Sequence, residues 1–473
     1  MGLAPWRKVL YAAGSIGVAL SYQTFSAYIQ FFYIDILGLK AHVVGLGWSL
    51  YGLWNAVNDP LSGYLSDNTR TRWGRRRPWI AGTCIPLGLL FYLLWVPPAP
   101  LTATGGTPLF VYFIVVVLIF DLLWTLSAMN WTSLLPEMIP EEQERTFVSA
   151  LREFFSIVGL MGVALVPFLV GPDWARRPAM AGAYAVITCG VLGLSVIGSR
   201  EDLTVQQERQ PALIPAIQAT FRSLAFRWFL VASLHKEFIF IMLAAMMPFY
   251  AKYALRIQGP ATVFGATLDT GTQNSLLLGL AFLLALPGLW IWTVVAKRAG
   301  ARRAWQAAHG AFALAMVFVF LADDFVEGAM ATALAGIGLA GLLMLPIVLL
   351  SDVIDEDETV TGARREGVFF GINGLIIRLA FTMQGLTTGL VLSLTGYISS
   401  TAATLYPVQP ASAVLGIRAL TAGVPMAACL VAIWALQRYP LHDRRLADVR
   451  SACEALRRAR AEAAGKAAPE AGS

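Results

Sequence analysis

Residues 108–134, PLFVYFIVVVLIFDLLWTLSAMNWTSL, hold one charged side chain in 27 positions. A run of roughly 20 mostly apolar residues is long enough to cross a hydrocarbon layer as a helix. Lipid offers no partner for backbone N–H and C=O groups, so such a run satisfies them only by coiling on itself. The pattern recurs along the chain, with spans near 8–37, 42–67, 77–96, 108–134, 149–171, 179–198, 226–254, 273–296, 303–322, 328–350, 367–396 and 412–436. Twelve spans predict an all-α integral membrane protein. Composition agrees: 57% of the 473 residues are hydrophobic and 14% charged, where a soluble domain carries about 25% charged residues. The surplus apolar surface must face lipid.

The charged residues that remain sit between the spans. Arg70, Arg72, Arg75, Arg76 and Arg77 follow the second span, and Arg200, Arg209 and Arg222 follow the sixth. Lys297, Arg298, Arg302 and Arg303 follow the eighth, and Arg364 and Arg365 the tenth. Alternate loops such as PPAPLTATGGTP carry no Lys or Arg. Basic loops stay on the cytoplasmic side, so both termini are expected there, in a cell-membrane protein. The net charge of +6 is thereby accounted for by topology, and no nucleic-acid partner is expected. Cys84, Cys189, Cys429 and Cys453 are scattered without a C-x-x-C pair, so neither a zinc site nor a disulfide framework is indicated. No small-residue cleavage site follows the first apolar run, and no cleaved signal peptide is expected.

The longest polar segment between spans, 199–225, divides the chain six plus six. The basic loop after span two has a fainter counterpart, AKRAGARRAW, after span eight. Two matching halves are a common construction for transporters. The expected organisation is an N-terminal half over 1–198, a linker over 199–225, a C-terminal half over 226–436 and a cytoplasmic tail over 437–473. In the tail, Leu446, Val449, Cys453 and Leu456 share one face of a short amphipathic helix.

Ionisable residues inside a span are costly and mark function. Asn55, Asn58 and Asp59 fall at i, i+3 and i+4 in span two, on one helix face. Pro60 cannot donate to the carbonyl of Ala56, which adds a free oxygen beside a carboxylate and two amides. Hard oxygens in this grouping suit Na⁺ or a proton. Asp121 and Thr125 lie one turn apart in span four, and nothing in that helix offsets the charge of Asp121. Arg378 lies about a dozen residues into span eleven, near the midplane at about 1.5 Å per residue, and needs an acidic partner or water. Arg152 opens span five. Tyr22, Trp124 and Trp131 either line a cavity or pack between helices.

Two longer stretches carry a resemblance. NDPLSGYLSDNTRTRWGRRRPW, from Asn58 to Trp79, resembles the loop after the second helix of the glycoside–pentoside–hexuronide:cation symporters, a branch of the major facilitator superfamily. SDVIDEDETVTGARREGVFFGINGLIIRLAF, from Ser351 to Phe381, resembles that family's connection between helices ten and eleven. The resemblance implies a twelve-helix major facilitator fold with two six-helix halves around a central cavity. It implies a cation site of Asn55, Asn58, Asp59 and Thr125, with Na⁺ or H⁺ as coupling ion and no other cofactor or metal. The family's galactoside-gripping carboxylates fall on Ala19 and Ala128, while its helix-five Arg is kept as Arg152 and its helix-eleven Lys becomes Arg378.

The function expected is cation-coupled symport of a sugar, glycoside or related small polar solute, by a monomer rocking around its cavity in the lipid bilayer. A lysolipid or other amphiphile is the alternative cargo. An enzyme is not expected, since no nucleophile–base pair, metal cluster or phosphate loop is present. Substrate contacts are assigned to Tyr22, Trp124, Trp131, Arg152 and Arg378. Asp121 joins the cation site as a carboxylate shifted from helix two to helix four. Asp67, Arg75, Arg76 and Arg77 form an inner gate with Asp352, Asp355, Arg364 and Arg365 of the other half.

Overall fold

The computed structural model describes residues 4–139, 142–201, 220–263, 265–362, 365–401 and 403–470. Arg364, the side chain of Asp67 and most of the expected linker, including Arg209, lie outside the described residues. Among the described residues, twelve long helices run in series ahead of the tail. The first half holds α1 (Pro5–Phe31), α2 (Ala41–Asp67), α3 (Arg77–Trp95), α4 (Gly106–Met138), α5 (Glu142–Val170) and α6 (Arg177–Gly198). The second holds α7 (Leu224–Phe249), α8 (Thr270–Ala299), α9 (Ala301–Leu321), α10 (Phe325–Thr361), α11 (Glu366–Leu394) and α12 (Ala411–Arg438). The helices from α3 to α12 are long and apolar enough to cross a membrane. Helices α1 and α2 match them in length, 27 residues each, but are more polar because they carry residues such as Gln30, Asn55, Asn58 and Asp59.

Local signals fix the helix starts. Pro5, Pro78 and Pro178 stand in the first turn of α1, α3 and α6, where no N–H is needed. Ser223, Asp269 and Asp324 accept from Phe226, Thr272 and Glu327 N–H and cap α7, α8 and α10. Large apolar side chains such as Ile85, Val186 and Trp290 stand out from the bundle, as a lipid-facing surface requires. The second half adds a hairpin, Ala261–Val263 against Ala266–Leu268, before α8.

Two spans differ from their expected ends. Helix α10 continues three turns past residue 350 to Thr361, where Gly362 takes a left-handed φ of 68°. Asp352, Asp355 and Glu356 are therefore helical rather than in a loop. The sequence there loses its apolar character but no helix breaker intervenes until that glycine. The tail helix, α13, covers Asp443–Glu470 and is much longer than the short helix expected. It packs against α10.

Within each half the helices pack on their neighbours: α1 on α5 and α6, α3 on α4 and α6, α10 on α8 and α9, α7 on α11 and α12. Three pairs join the halves, α2 with α11, α5 with α8 and α1 with α7. The α2–α11 pair is a glycine seam. A Cβ on Gly45 would lie 2.5 Å from the Gly385 carbonyl oxygen and 2.8 Å from Gly389 Cα. On Gly52 it would lie 2.7 Å from Thr382 N. Small residues let helix backbones touch in a membrane, where packing rather than solvent exclusion holds helices together. Beside this seam, Gln30 of α1 donates to Gln384 of α11 at 2.7 Å.

These contacts close the bundle at the end away from the termini. They continue down to Asp59 and Arg378. Beyond that point, toward the termini, no hydrogen bond or ion pair joins the halves among the described residues. The halves therefore pack closely at the far end, along α2 and α11.

Gly385→Leu should open this seal, because its side chain meets the Gly45 carbonyl and Trp48 Cβ at 2.8 and 2.9 Å from the first added carbon. Overpacking costs about 1–3 kcal/mol. The expected result is faster labelling of a cysteine at position 388 from the far side of the membrane, at unchanged expression.

Candidate functional site: a buried carboxylate beside a bridge between the halves

Asp121 is 1% exposed in the middle of α4. Its partners come from α2, packed alongside. Asn55 Nδ2 donates to Oδ1 at 3.1 Å, and Asn58 Nδ2 donates to Oδ2 at 2.8 Å. Asn58 Nδ2 also reaches Thr125 Oγ1 at 3.0 Å, one turn along α4. The i, i+3 spacing of the two asparagines and the i, i+4 spacing of Asp121 and Thr125 set these groups face to face. Tyr51, one turn before Asn55, accepts from its amide at 2.9 Å and meets the Tyr22 hydroxyl at 3.2 Å. Ser62 donates to Asn58 Oδ1 at 3.2 Å. The carbonyl oxygen of Asn55 is buried with no donor.

Asp59 faces elsewhere. Its Oδ2 accepts from Arg378 Nη2 at 3.0 Å and Nε at 3.2 Å, from α11 of the other half. The face expected to present Asn55, Asn58 and Asp59 together is thus divided. The two amides turn toward α4, and Asp59 turns toward α11. One residue of offset is about 100° around a helix, which is enough to separate the two directions. Arg378 has the acidic partner that its depth calls for.

The aromatic residues also divide. Tyr22 stacks on Trp124 with centroids 4.3 Å apart, both half-buried above the carboxylate site. Trp131 does not line a cavity: it is 2% exposed. Its ring stacks on Tyr11 at 5.3 Å, its Nε1 donates to the Tyr11 carbonyl, and Tyr11 OH donates back to the Trp131 carbonyl. Arg152 covers it, with Cζ 4.1 Å from the ring centroid. The expected substrate contact at Trp131 is therefore replaced by a packed α1–α4 joint capped by a guanidinium, a cation–π arrangement. Arg152 is half-buried, and its further hydrogen bond reaches Thr132 Oγ1 at 3.5 Å.

Several of the described gate residues have partners within their own halves. Backbone N–H groups of Arg75, Arg76 and Arg77 all donate to the carboxylate of Glu201, at 2.7, 3.0 and 3.4 Å. A carboxylate at the start of α3 meets the positive end of that helix. Gly74, at φ 103°, leaves the space, since a Cβ there would strike Glu201 Oε2. Arg365 pairs with Asp357. The tail helix α13 takes the acidic side of the gate: Arg450 donates to Asp352 at 2.9 Å and Arg445 to Glu356 at 2.7 Å. Cys453 is buried against α10, its thiol 3.5 Å from Glu358 Oε2. Asp355 lies on the same turn as Asp352 and Glu356.

Tyr51, Glu201, Arg445 and Arg450 were absent from the expected set. Tyr51 has a usable signal, one helical turn before Asn55 on the same face. Glu201 and the tail arginines have none, because their partners are remote in sequence.

The model of the family described as MFS/sugar transport protein matches residues 10–443. The chain belongs to that family, and within it to the glycoside–pentoside–hexuronide:cation symporters. An uncharacterized symporter of Synechocystis is 26% identical over 95% of this chain and 96% of its own. The isoprimeverose transporter of Lactiplantibacillus pentosus is 25% identical, covering 84% and 82%. A glucuronide carrier protein homolog of Escherichia coli is 23% identical, covering 94% of each. Among solved structures, the nucleoside transporter NupG superposes with a TM-score of 0.65 at 12% identity, over 92% of this chain and 99% of that one. A bacterial homolog of the human lysosomal transporter Spinster gives 0.64 at 13% identity, over 95% and 99%. At such identities the likeness is one of fold, that of the major facilitators.

Removing Glu201 tests the α3 start. Glu201→Ala leaves three backbone donors without their carboxylate and should cost about 1–3 kcal/mol. Differential scanning fluorimetry should show a lowered melting temperature, with Glu201→Gln, which keeps one acceptor oxygen, in between.

Proposed function

We propose that this protein is a secondary transporter that couples entry of a cation, Na⁺ or H⁺, to symport of a sugar or glycoside. It works as a monomer in the cell membrane, its termini and basic loops in the cytoplasm, and has no enzymatic step. The end closed by the α2–α11 glycine seam is then the outer one, which supports an inward-facing reading of the conformation. Relatives named for isoprimeverose, glucuronide and glycoside–cation transport support sugar over the lysolipid alternative. Basic residues are dense between α2 and α3, α6 and α7, and α8 and α9, against Lys40, Arg176, Arg177 and Arg256 at the far end, which supports the orientation.

The observation that carries the coupling is the adjacency of a buried carboxylate site to a charge bridge between the halves. Asp121 offers two oxygens, Thr125 a third, and the Asn55 amide a fourth once it turns its orphaned carbonyl inward. Four hard oxygens in a dry site suit Na⁺, and a proton on Asp121 satisfies the same charge. Asp59 is the remaining helix-two carboxylate. In this conformation Arg378 occupies it, acting as a built-in substitute for the coupling cation. Parting of Arg378 from Asp59 frees a carboxylate for the cation in the outward-facing state. Its return on the inward side displaces the cation toward the cytoplasm.

The sugar is placed beside Tyr22, Trp124, Arg152 and Arg378, where guanidinium donors meet hydroxyls and an aromatic edge meets a sugar face. Ala19 and Ala128 leave no carboxylates to grip a galactoside. Arg75, Arg76, Arg77, Arg364 and Arg365 form the inner gate with Asp67, Asp352 and Asp355 when the cytoplasmic side closes.

The test is uptake into proteoliposomes of labelled glycosides, pentosides and hexuronides under an imposed Na⁺ or H⁺ gradient. A gradient should drive accumulation of at least one. Asp59→Asn and Asp121→Asn should each abolish accumulation while leaving substrate counterflow, because only the cation half of the cycle is removed. Accumulation that survives both changes overturns the assignment.

A further inference from the structure

The ends of α1 and α7 share a sequence. Phe32-Tyr33-Ile34-Asp35 closes α1, and Phe249-Tyr250-Ala251-Lys252 closes α7. These are corresponding helices of the two six-helix halves. Each ends in a five-residue π-turn, Phe32–Ile36 and Tyr250–Ala254. Each tyrosine ties its helix to the third helix of its own half: Tyr33 donates to the Leu94 carbonyl at 3.1 Å and Tyr250 to that of Val319 at 2.6 Å. Two residues after the tyrosine the copies diverge, with an acid, Asp35, in one and a base, Lys252, in the other.

Those two residues meet. Lys252 Nζ lies 2.6 Å from Asp35 Oδ2. Asp35 is 0% exposed and Lys252 6%. The other half supplies every further hydrogen bond to this carboxylate. Tyr253 OH and Tyr397 OH each donate to Oδ1 at 2.5 Å. The Ser400 N–H donates at 3.3 Å and its hydroxyl reaches both oxygens at 3.1–3.2 Å. Lys252 also donates to Ser400 Oγ at 2.7 Å. A first-half carboxylate is thus held by five groups of the second half, at the sealed end of the bundle.

We infer that the Asp35–Lys252 pair is the outer latch of the transport cycle: a buried charge contact between the repeat-related ends of α1 and α7 that holds the outside closed and parts when the protein faces outward. The inference rests on the alternating-access reading but not on the identity of cargo or cation. Rocking the halves must separate α1 from α7 at this end, and every bond to Asp35 crosses that boundary. Two charges fully enclosed by protein are stable only together, so the contact is made whole or not at all. Outer opening is then a discrete step in which Asp35 and Lys252 gain water at the same moment. Asp35 and Lys252 each lie inside their π-turn, and such turns are frequent at functional sites.

The test measures labelling of a Ser49→Cys reporter in the α2–α11 seam by a membrane-impermeant maleimide applied outside, read by mass at that position. It needs no substrate, so a wrong cargo or coupling ion leaves it valid. Asp35→Asn and Lys252→Gln should each raise the labelling rate about ten-fold or more, since each leaves its partner charge seeking water. Lys252→Arg, which keeps the cation, should stay near the unmodified rate. If Asp35→Asn fails to accumulate in the membrane, the neutral pair D35N/K252Q, which leaves no lone charge, carries the same expectation. Unchanged labelling in the neutralised variants, or equal labelling in Lys252→Gln and Lys252→Arg, overturns the latch.

Discussion

A carboxylate enclosed within a membrane protein must be given its partners by the protein, because neither lipid nor bulk water is at hand. Asp121 has two amides and a hydroxyl close by, all from two adjacent helices of one half. Asp59 has a guanidinium from the other half. That division organises the rest. In the proposed cycle the first site stays intact as the halves rock, while the second is made and broken by the rocking. A cation site placed there, as proposed, shares its helix with a movable bridge and would be coupled to conformation with no separate transmission element.

The closeness of α2 and α11 makes the bridge possible. Gly45, Gly52, Gly385 and Gly389 bring the backbones together, and Arg378 reaches Asp59 only because the helix axes approach that far. Larger residues at the seam would hold the charges apart and leave both stranded. The glycines and the ion pair therefore act as one unit along the two helices.

Much of this was legible in the sequence. Apolar runs located twelve helices, because each lipid-exposed segment must independently be long and apolar. The depth of Asp121 and Arg378 within their runs marked both as needing partners. Helical spacing put Asn55 and Asn58 on one face. Which partner each charge takes was not legible. Asp59 was read together with the asparagines, yet 100° of helix rotation sends it to α11. In sequence Trp131 groups with the aromatic residues of a cavity wall, yet Tyr11, 120 residues away, claims its ring. The grip of Glu201 on Arg75, Arg76 and Arg77 depends on a segment reached only after four more helices. The end of α10 was misplaced because loss of hydrophobicity marks the edge of the bilayer, not the end of a helix.

On the proposed coupling scheme, the bridge between Asp59 and Arg378 also sets the electrical character of the empty carrier. While Arg378 neutralises Asp59, an ionised Asp121 leaves the unloaded site with one net negative charge. A monovalent cation brings it to zero. The voltage across the membrane would then act on the return of the empty carrier and not on the loaded crossing. One elementary charge moved through the full field is worth about 2.3 kcal/mol per 100 mV. A negative interior would push the empty carrier back toward the outside, so that the cell's membrane voltage resets the transporter after each delivery.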